Sequence, residues 1–344
     1  GKNEVMGTTY PAEAPSNPPA TEPEPTAKAK TKGLSQGQIV RKRFFDNTAA
    51  IISLVVFALI CILAFSSIGF AGIPGWWKYD YRQFTEQVNG GAPTFVNLFN
   101  WGEHPFGQDR IGRDMFAMTM RGTQQSIIVM FLVGIIACIV GSVVGAVAGY
   151  FRGWVEAVLM RLTDVVIIIP IIVMAAVLGQ IANRLVGAGI GVVLLGIFLG
   201  LATWTSLARL VRGEFLSLRE REFVDAARIA GASNNRIIFK HILPNAVGVI
   251  IVNTTLLMST AILLETSLSY IGFGVQPPDT SLGLLISQNQ EAFQTRPWLF
   301  WWPGLFIVAI CLCINFIGDG LRDAFDPRQK KFNAKKVKAK KAGN

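Results

Sequence analysis

Two histidines, four cysteines and a few carboxylates inside apolar stretches are the residues of this 344-residue chain with chemistry to offer. His104 and His241 are too few and too separated for a histidine-rich metal site. In "EHPFGQDRIGRD", His104 reads as an ordinary surface or packing residue. Cys61, Cys138, Cys311 and Cys313 all fall in apolar runs. Cys311 and Cys313 have C-x-C spacing, but residues two apart on a helix point in different directions, so they read as buried structural thiols. No metal site is expected. No Gly-x-x-x-x-Gly-Lys-Ser/Thr loop occurs to cradle a nucleotide phosphate, and no His-Glu-x-x-His helix to hold a catalytic zinc. Two facing carboxylates, as an intramembrane aspartyl protease needs, are also lacking. Asp164 follows Arg161 by three residues, which on a helix makes an ion pair a better reading than a proton relay. Glu265 has no local partner, and two roles stay open: lining a pathway, or capping and packing at a helix end. These parts describe a non-catalytic conduit or scaffold that binds no cofactor of its own.

The elements that hold these residues are membrane spans. The chain is 51% hydrophobic and 16% charged, against a charged share of roughly 25% in soluble domains. Six apolar stretches are long enough to cross about 30 Å of hydrocarbon. They cover residues 48–71, 126–150, 165–183, 185–208, 242–264 and 298–318, and the third starts near Val155. Long unbroken apolar runs predict helices, since barrel strands alternate. The fold class expected is therefore all-α, a bundle of six transmembrane helices. Pro170 predicts a kink in the third span. Gly141, Gly145 and Gly149 recur every four residues and bare one helix face for close packing, and Gly196 and Gly200 do so on the fourth span.

Charge sets the expected topology. The net charge of +10 gathers before the first span (Lys28, Lys30, Lys32, Arg41, Lys42, Arg43), in the loop 209–241, and after the last span in a lysine-rich tail. The positive-inside rule then places both termini in the cytoplasm, consistent with an even number of spans. The loop 72–122 balances five basic against five acidic residues, as an external loop can. The tail reads as a topogenic, solvated segment next to membrane lipid, and not as a nucleic-acid site. Residues 1–46 are expected to form a disordered cytoplasmic tail, because their Pro-, Ala-, Thr- and Glu-rich start cannot bury enough surface to offset ordering entropy. The first span, 47–71, lies too far from the start for a signal peptide and reads as a retained anchor. A core with five transmembrane helices is expected over 123–325 and a basic tail over 326–344.

One stretch stands out, "EFVDAARIAGASNNRIIFKHILPN" at 222–245. On a helix, Phe223, Ala226, Ala227 and Ala230 share one side, with Glu222, Asp225 and Arg228 on the flanks. A partner helix or groove is expected to press against the alanines. Gly231 allows a turn, Ser233 is typed to cap a second short helix, and Leu243 and Pro244 are expected to close it before the fifth span. The alternative is an amphipathic helix lying in the headgroup region.

The run Asp225-Ala226-Ala227, three residues, Gly231, then Ile242-Leu243-Pro244 resembles the "EAA" signature of membrane subunits in binding-protein-dependent ABC importers. Asp225 stands where the signature has Glu, and His241 where it has Ile; the first keeps the charge with a shorter reach. "HPFGQDRIGRDMFAMTMRGTQQSI" (104–127), "ETSLSYIGFGVQPPDTSLGLLI" (265–286) and "NFIGDGLRDAFDPR" (315–328) resemble the C-type permease of dipeptide and oligopeptide importers. The likeness runs from about 104 to 328, leaving out the N-terminal tail and the loop 72–103. It implies a type I importer bundle whose coupling helix, 222–241, docks on an ATPase subunit. It also implies a second permease, two ATPase subunits that carry ATP and Mg, and an extracytoplasmic peptide-binding protein docking on loops 72–122 and 266–297. Asn253, Thr254, Ser259, Thr260 and Glu265 are the candidate pathway residues, although hydrogen bonding between helices accounts equally well for the hydroxyls and amide. The cell membrane of a prokaryote is the implied location. Other small solutes, such as nickel complexes, remain open as cargo, as does an ATPase-independent carrier or scaffold.

Overall fold

A computed structural model describes residues 35–185 and 191–326. The residues before 35, the stretch 186–190 and the lysine-rich end, and with them most of the expected tails, lie outside the described residues. Two helices open the chain, α1 (Gln36–Asp46) and α2 (Thr48–Ser67). A two-residue hairpin follows, β1 (Gly69–Phe70) antiparallel to β2 (Ile73–Pro74), and then a long loop. The helices α3 (Met115–Phe151), α4 (Gly153–Ile168), α5 (Ile171–Leu185), α6 (Gly191–Thr203) and α7 (Thr205–Leu218) come next. The chain finishes with α8 (Glu222–Ile229), the short α9 (Asn234–Arg236), α10 (Leu243–Tyr270), α11 (Leu282–Asn289) and α12 (Trp298–Phe325).

Among the described residues, four helical segments are long and apolar enough to cross a membrane: α2, α3, α9 through α10, and α12. The pairs α4/α5 and α6/α7 meet the same test together while bending by 88° and 48°. The described helices thus supply four spans, or up to the expected six where each bent pair is one crossing. The first bend falls at Pro170, as its missing N–H and ring clash require. The second, at Trp204, has neither Pro nor Gly at the break.

α3 is the centre of the bundle. Its 37 residues extend about 55 Å, so it projects beyond the bilayer, and its first eleven residues fall outside the apolar run that sequence marks. Asp114 starts it, accepting a hydrogen bond from Ala117 N at 3.0 Å. Its glycines set how near α7 comes. A Cβ on Gly141, Gly145 or Gly149 would sit 2.9, 2.5 or 2.6 Å from the carbonyl oxygens of Trp204, Ala208 and Arg212. Gly196 and Gly200 likewise let α6 close on Leu132 and Ile136 of α3. Both glycine stripes are packing faces.

Residues 36–46, expected to be part of a disordered tail, are helical. α1 is helical because it has a tertiary partner: Arg43 Nη1 donates to the carbonyls of Asp326 at 3.0 Å and Ala324 at 3.4 Å, at the end of α12. Basic side chains at a helix C-terminus also meet the negative end of its dipole. At the opposite end of the bundle, the loop between α2 and α3 carries its own aromatic core. Trp77 and Phe116 have ring centroids 4.7 Å apart, and Phe106 stacks on Trp302 of α12 at 3.8 Å.

Candidate functional site

α8 sits at the end of the bundle away from that aromatic loop, between α7 and the lever made by α9 and α10. Glu222 and Asp225 lie in its first turn and Arg228 in its last, the order that suits the helix dipole. Val224 and Ala227 are buried in a cluster with Tyr150, Val211, Phe215, Ile237 and Ile242. Phe223, Asp225, Ala226 and Ala230 face outward, and Ile229 is 88% exposed. The expected four-residue docking side is therefore divided: Ala227 belongs to the seat of the helix, not to its free face. Its small side chain lets α8 settle on the protein's own core.

The turn after α8 is a Schellman closure. Ala232 N donates to Ala227 O and Gly231 N to Arg228 O, both at 3.0 Å. Gly231 has φ of 85°, which glycine adopts without the steric penalty other residues meet. Ser233 caps α9 by accepting from Arg236 N at 3.4 Å. Tyr150, at the end of α3, donates to Asn234 Oδ1 at 2.7 Å, with the guanidinium groups of Arg219 and Arg228 each 5.8 Å from its ring. The expected break at Leu243–Pro244 is not there. Residues Ile237–Ile242 form a π turn, with Leu243 N bonded to Ile238 O, and helix runs unbroken from Asn234 to Tyr270. The wider turn accommodates a proline that has no N–H to give. One hinge, at Gly231, thus joins α8 to a membrane-length lever. Arg212 holds Glu156 at 2.7 Å and Arg209 bonds Asp164, which also meets Arg161 at 3.3 Å, so charges on α4 are paired to α7.

The polar residues of α10 are spread along the helix. Asn253 and Thr260, seven residues apart, share a side and bond back to Val249 O at 2.8 Å and Leu256 O at 3.4 Å. Thr254 Oγ1 is buried and has no hydrogen-bond partner, while Ser259 is buried beside Cys311. Glu265 is fully buried, accepting from Ser269 Oγ at 2.8 Å and Ser126 Oγ at 3.2 Å. That carboxyl ties α10 to α3.

Comparison with known proteins places this architecture. Residues 141–331, which hold α4 to α12 with the hinge, match the family described as binding-protein-dependent transport system inner membrane component. The chain belongs to that family. A second match, to the N-terminal TM domain of oligopeptide transport permease C, covers residues 35–92 of the permease. Its first span and part of the loop 72–103, which the sequence resemblance left out, therefore belong to the family as well. The permease is 36% identical over 307 residues to the oligopeptide transport system permease protein OppC of Escherichia coli K12, covering 88% of this chain and 95% of that one. It is 35% identical over 297 residues to OppC of Mycobacterium bovis, covering 86% and 96%. Among solved structures, the MetNI methionine ABC transporter in inward facing conformations superposes with a TM-score of 0.50 at 20% identity, over 62% of this chain and 98% of that one. It shares the fold.

The structure adds residues to the permease that sequence reading passed over. Arg121 of α3 makes two 2.9 Å hydrogen bonds to Asp279, and Gln125 makes a third at 2.6 Å, pinning the turn between α10 and α11. A separation of 158 positions hides such a pair from any local pattern. His104 and Asp114 are buried together, 2.8 Å apart, and Trp77 Nε1 donates to the same carboxylate at 2.7 Å. His104 is thus a packing residue, as its sequence context suggests.

Proposed function

We propose that this permease is the C-type membrane subunit of an ATP-driven importer of dipeptides or oligopeptides. A second, homologous permease completes the translocation pathway. The observation that carries the reading is α8: a short helix seated on Val224 and Ala227, free on its Phe223, Ala226 and Ile229 side, and hinged at Gly231 to an unbroken span. Rigid-body transmission needs those parts. An ATPase subunit takes the free side in a groove, and closure of two ATPases on ATP and Mg moves α10. The chain itself supplies no catalytic group and binds no cofactor. Peptide as cargo is supported by its likeness to oligopeptide permeases over nearly their whole length. An extracytoplasmic binding protein delivers the peptide to the α2–α3 loop and the turn before α11. On this reading the protein sits in a prokaryotic inner membrane with α8 and both termini in the cytoplasm, where its basic residues concentrate.

Reconstitution into liposomes with a second permease, two ATPases and a binding protein tests this. Labelled short peptide is expected to accumulate only with ATP and all subunits. Peptide uptake by this chain alone would sink the importer reading, and uptake of a nickel chelate in place of peptide would sink the cargo.

A further inference from the structure

The loop between α2 and α3 ends in a tip that a water-facing surface does not explain. Phe99 is 97% exposed, Leu98 74%, Val96 69% and Phe95 44%. These four residues fall within five positions of one tight turn, a concentration of apolar exposure of the kind that marks an interaction site. From Gln87 to Gly102 the chain has no charged residue, although Glu86 and Glu103 bracket the stretch.

The tip is held in shape. Asn97 Oδ1 accepts from both Phe99 N and Asn100 N at 2.9 Å, and Val96 N donates to Asn100 O at 3.1 Å. Thr94 Oγ1 donates to Trp101 O at 3.0 Å and accepts from His104 N at 2.9 Å. Trp101 Nε1 reaches back to donate to Leu98 O at 2.9 Å. Ordering of the turn is therefore complete before anything binds, and the apolar side chains are presented by design of the turn and not by fraying.

Its foot stands where a span ends. The Trp101 ring lies 5.9 Å from Trp76, whose Nε1 donates to Ser66 Oγ in the last turn of α2 at 3.1 Å. Trp77 N donates to Ser67 O at 2.7 Å. The foot of the tip is thus tied through Trp76 and Trp77 to the last turn of α2. Tryptophans at a span end, next to uncharged Phe, Leu and Val, are the chemistry of the boundary between headgroups and acyl chains. Charge begins only at the edges of the stretch, at Glu86 and at Glu103 with its Lys78 partner, and the tip itself offers no side chain for an ion pair.

We propose that residues 95–99 form a wedge that seats in the lipid interface beside α2, fixing the loop's orientation over the bundle. The claim concerns lipid contact alone and does not depend on the cargo. The test uses the full chain assembled with its partner subunits in phospholipid vesicles, with a spin label on Phe99→Cys, a second on Val96→Cys, and a reference on Arg110→Cys. An unsubstituted sample corrects for the four native cysteines. Power saturation is expected to show labels at 99 and 96 more accessible to oxygen than to a water-soluble nickel chelate, and the reverse sign at 110. Three results would overturn the proposal. Nickel accessibility at 99 equal to that at 110 places the tip in water. Protection that arises only on adding a binding protein makes it a protein contact, and protection that is lost when this chain is placed in the same vesicles without its partner subunits makes it a contact between subunits.

Discussion

Asp114 shows how much one carboxylate organises outside the spans. It caps α3 through Ala117 N, accepts from Trp77 and meets His104, so three segments of the loop converge on it with no solvent access. Tyr79 stacks on His104 at 4.6 Å and donates its phenol to Glu103, which Lys78 also approaches at 3.1 Å. The Glu103 hydrogen bond, followed by burial, pushes the Tyr79 phenol from its ordinary 10.0 up to about 12. A raised value means that the neutral phenol is favoured in the folded loop. Its contribution is complete below pH 10.0 and disappears as pH climbs through about 12. The Glu103 carboxyl moves the other way, held below its usual value by the Tyr79 and then the Lys78 hydrogen bond, so its contribution is lost on acidification. We expect the tyrosinate absorbance of the protein minus that of Tyr79→Phe to titrate near pH 12, and Glu103→Gln to bring it back down. A difference titration centred on the ordinary tyrosine value would show that the pair does not form.

Between elements, the decisive contact is the backbone approach of α3 to α7. A Cβ at Gly145 would lie 2.5 Å from Ala208 O and 2.7 Å from Val211 Cβ, and a carbonyl on a helix axis cannot rotate away. Gly145→Val is expected to lower stability by about 1–3 kcal/mol or more by forcing the helices apart. Gly213→Ala on α7, where an added Cβ meets nothing, is expected to be neutral or to gain up to about 1 kcal/mol from helix propensity. Thermal melts of the purified protein in detergent check both, and equal melting points would refute the packing account. The glycine stripes and the Pro170 bend were legible in sequence because period and ring are local facts. The bend at Trp204 has no residue that announces it. The π turn at Ile237–Ile242 arises where Pro244 meets a helix held at both ends by packing, and α1 depends on carbonyls of α12 almost three hundred positions away. Tertiary partners decided those elements, and a window of twenty residues contains none of them.

At the scale of the whole molecule, the importer reading rests on α8 having two sides with separate duties. Sequence marked the segment and its hinge but grouped Ala226 with Ala227, because helical phase alone does not say which flank of an alanine stripe faces home. Burial separates them: Ala227 lies in the cluster with Val224 and Phe215, whereas Ala226 is exposed beside Phe223. Substitutions one residue apart should then fail in different ways. Ala227→Trp overpacks the seat and is expected to cost about 1–3 kcal/mol, read as a lower melting point and less assembled protein. Ala226→Trp leaves the seat intact, so the melting point should hold while the bulk blocks an ATPase groove. A docking penalty of about 1.4 kcal/mol would already reduce coupled transport about tenfold. Peptide uptake and peptide-stimulated ATP hydrolysis in vesicles, measured beside the melting points, distinguish the two. If Ala226→Trp transports as the unsubstituted protein does, the exposed side of α8 is not where force enters. If Ala227→Trp keeps its melting point and loses only coupling, the seat and the docking side have been assigned the wrong way round.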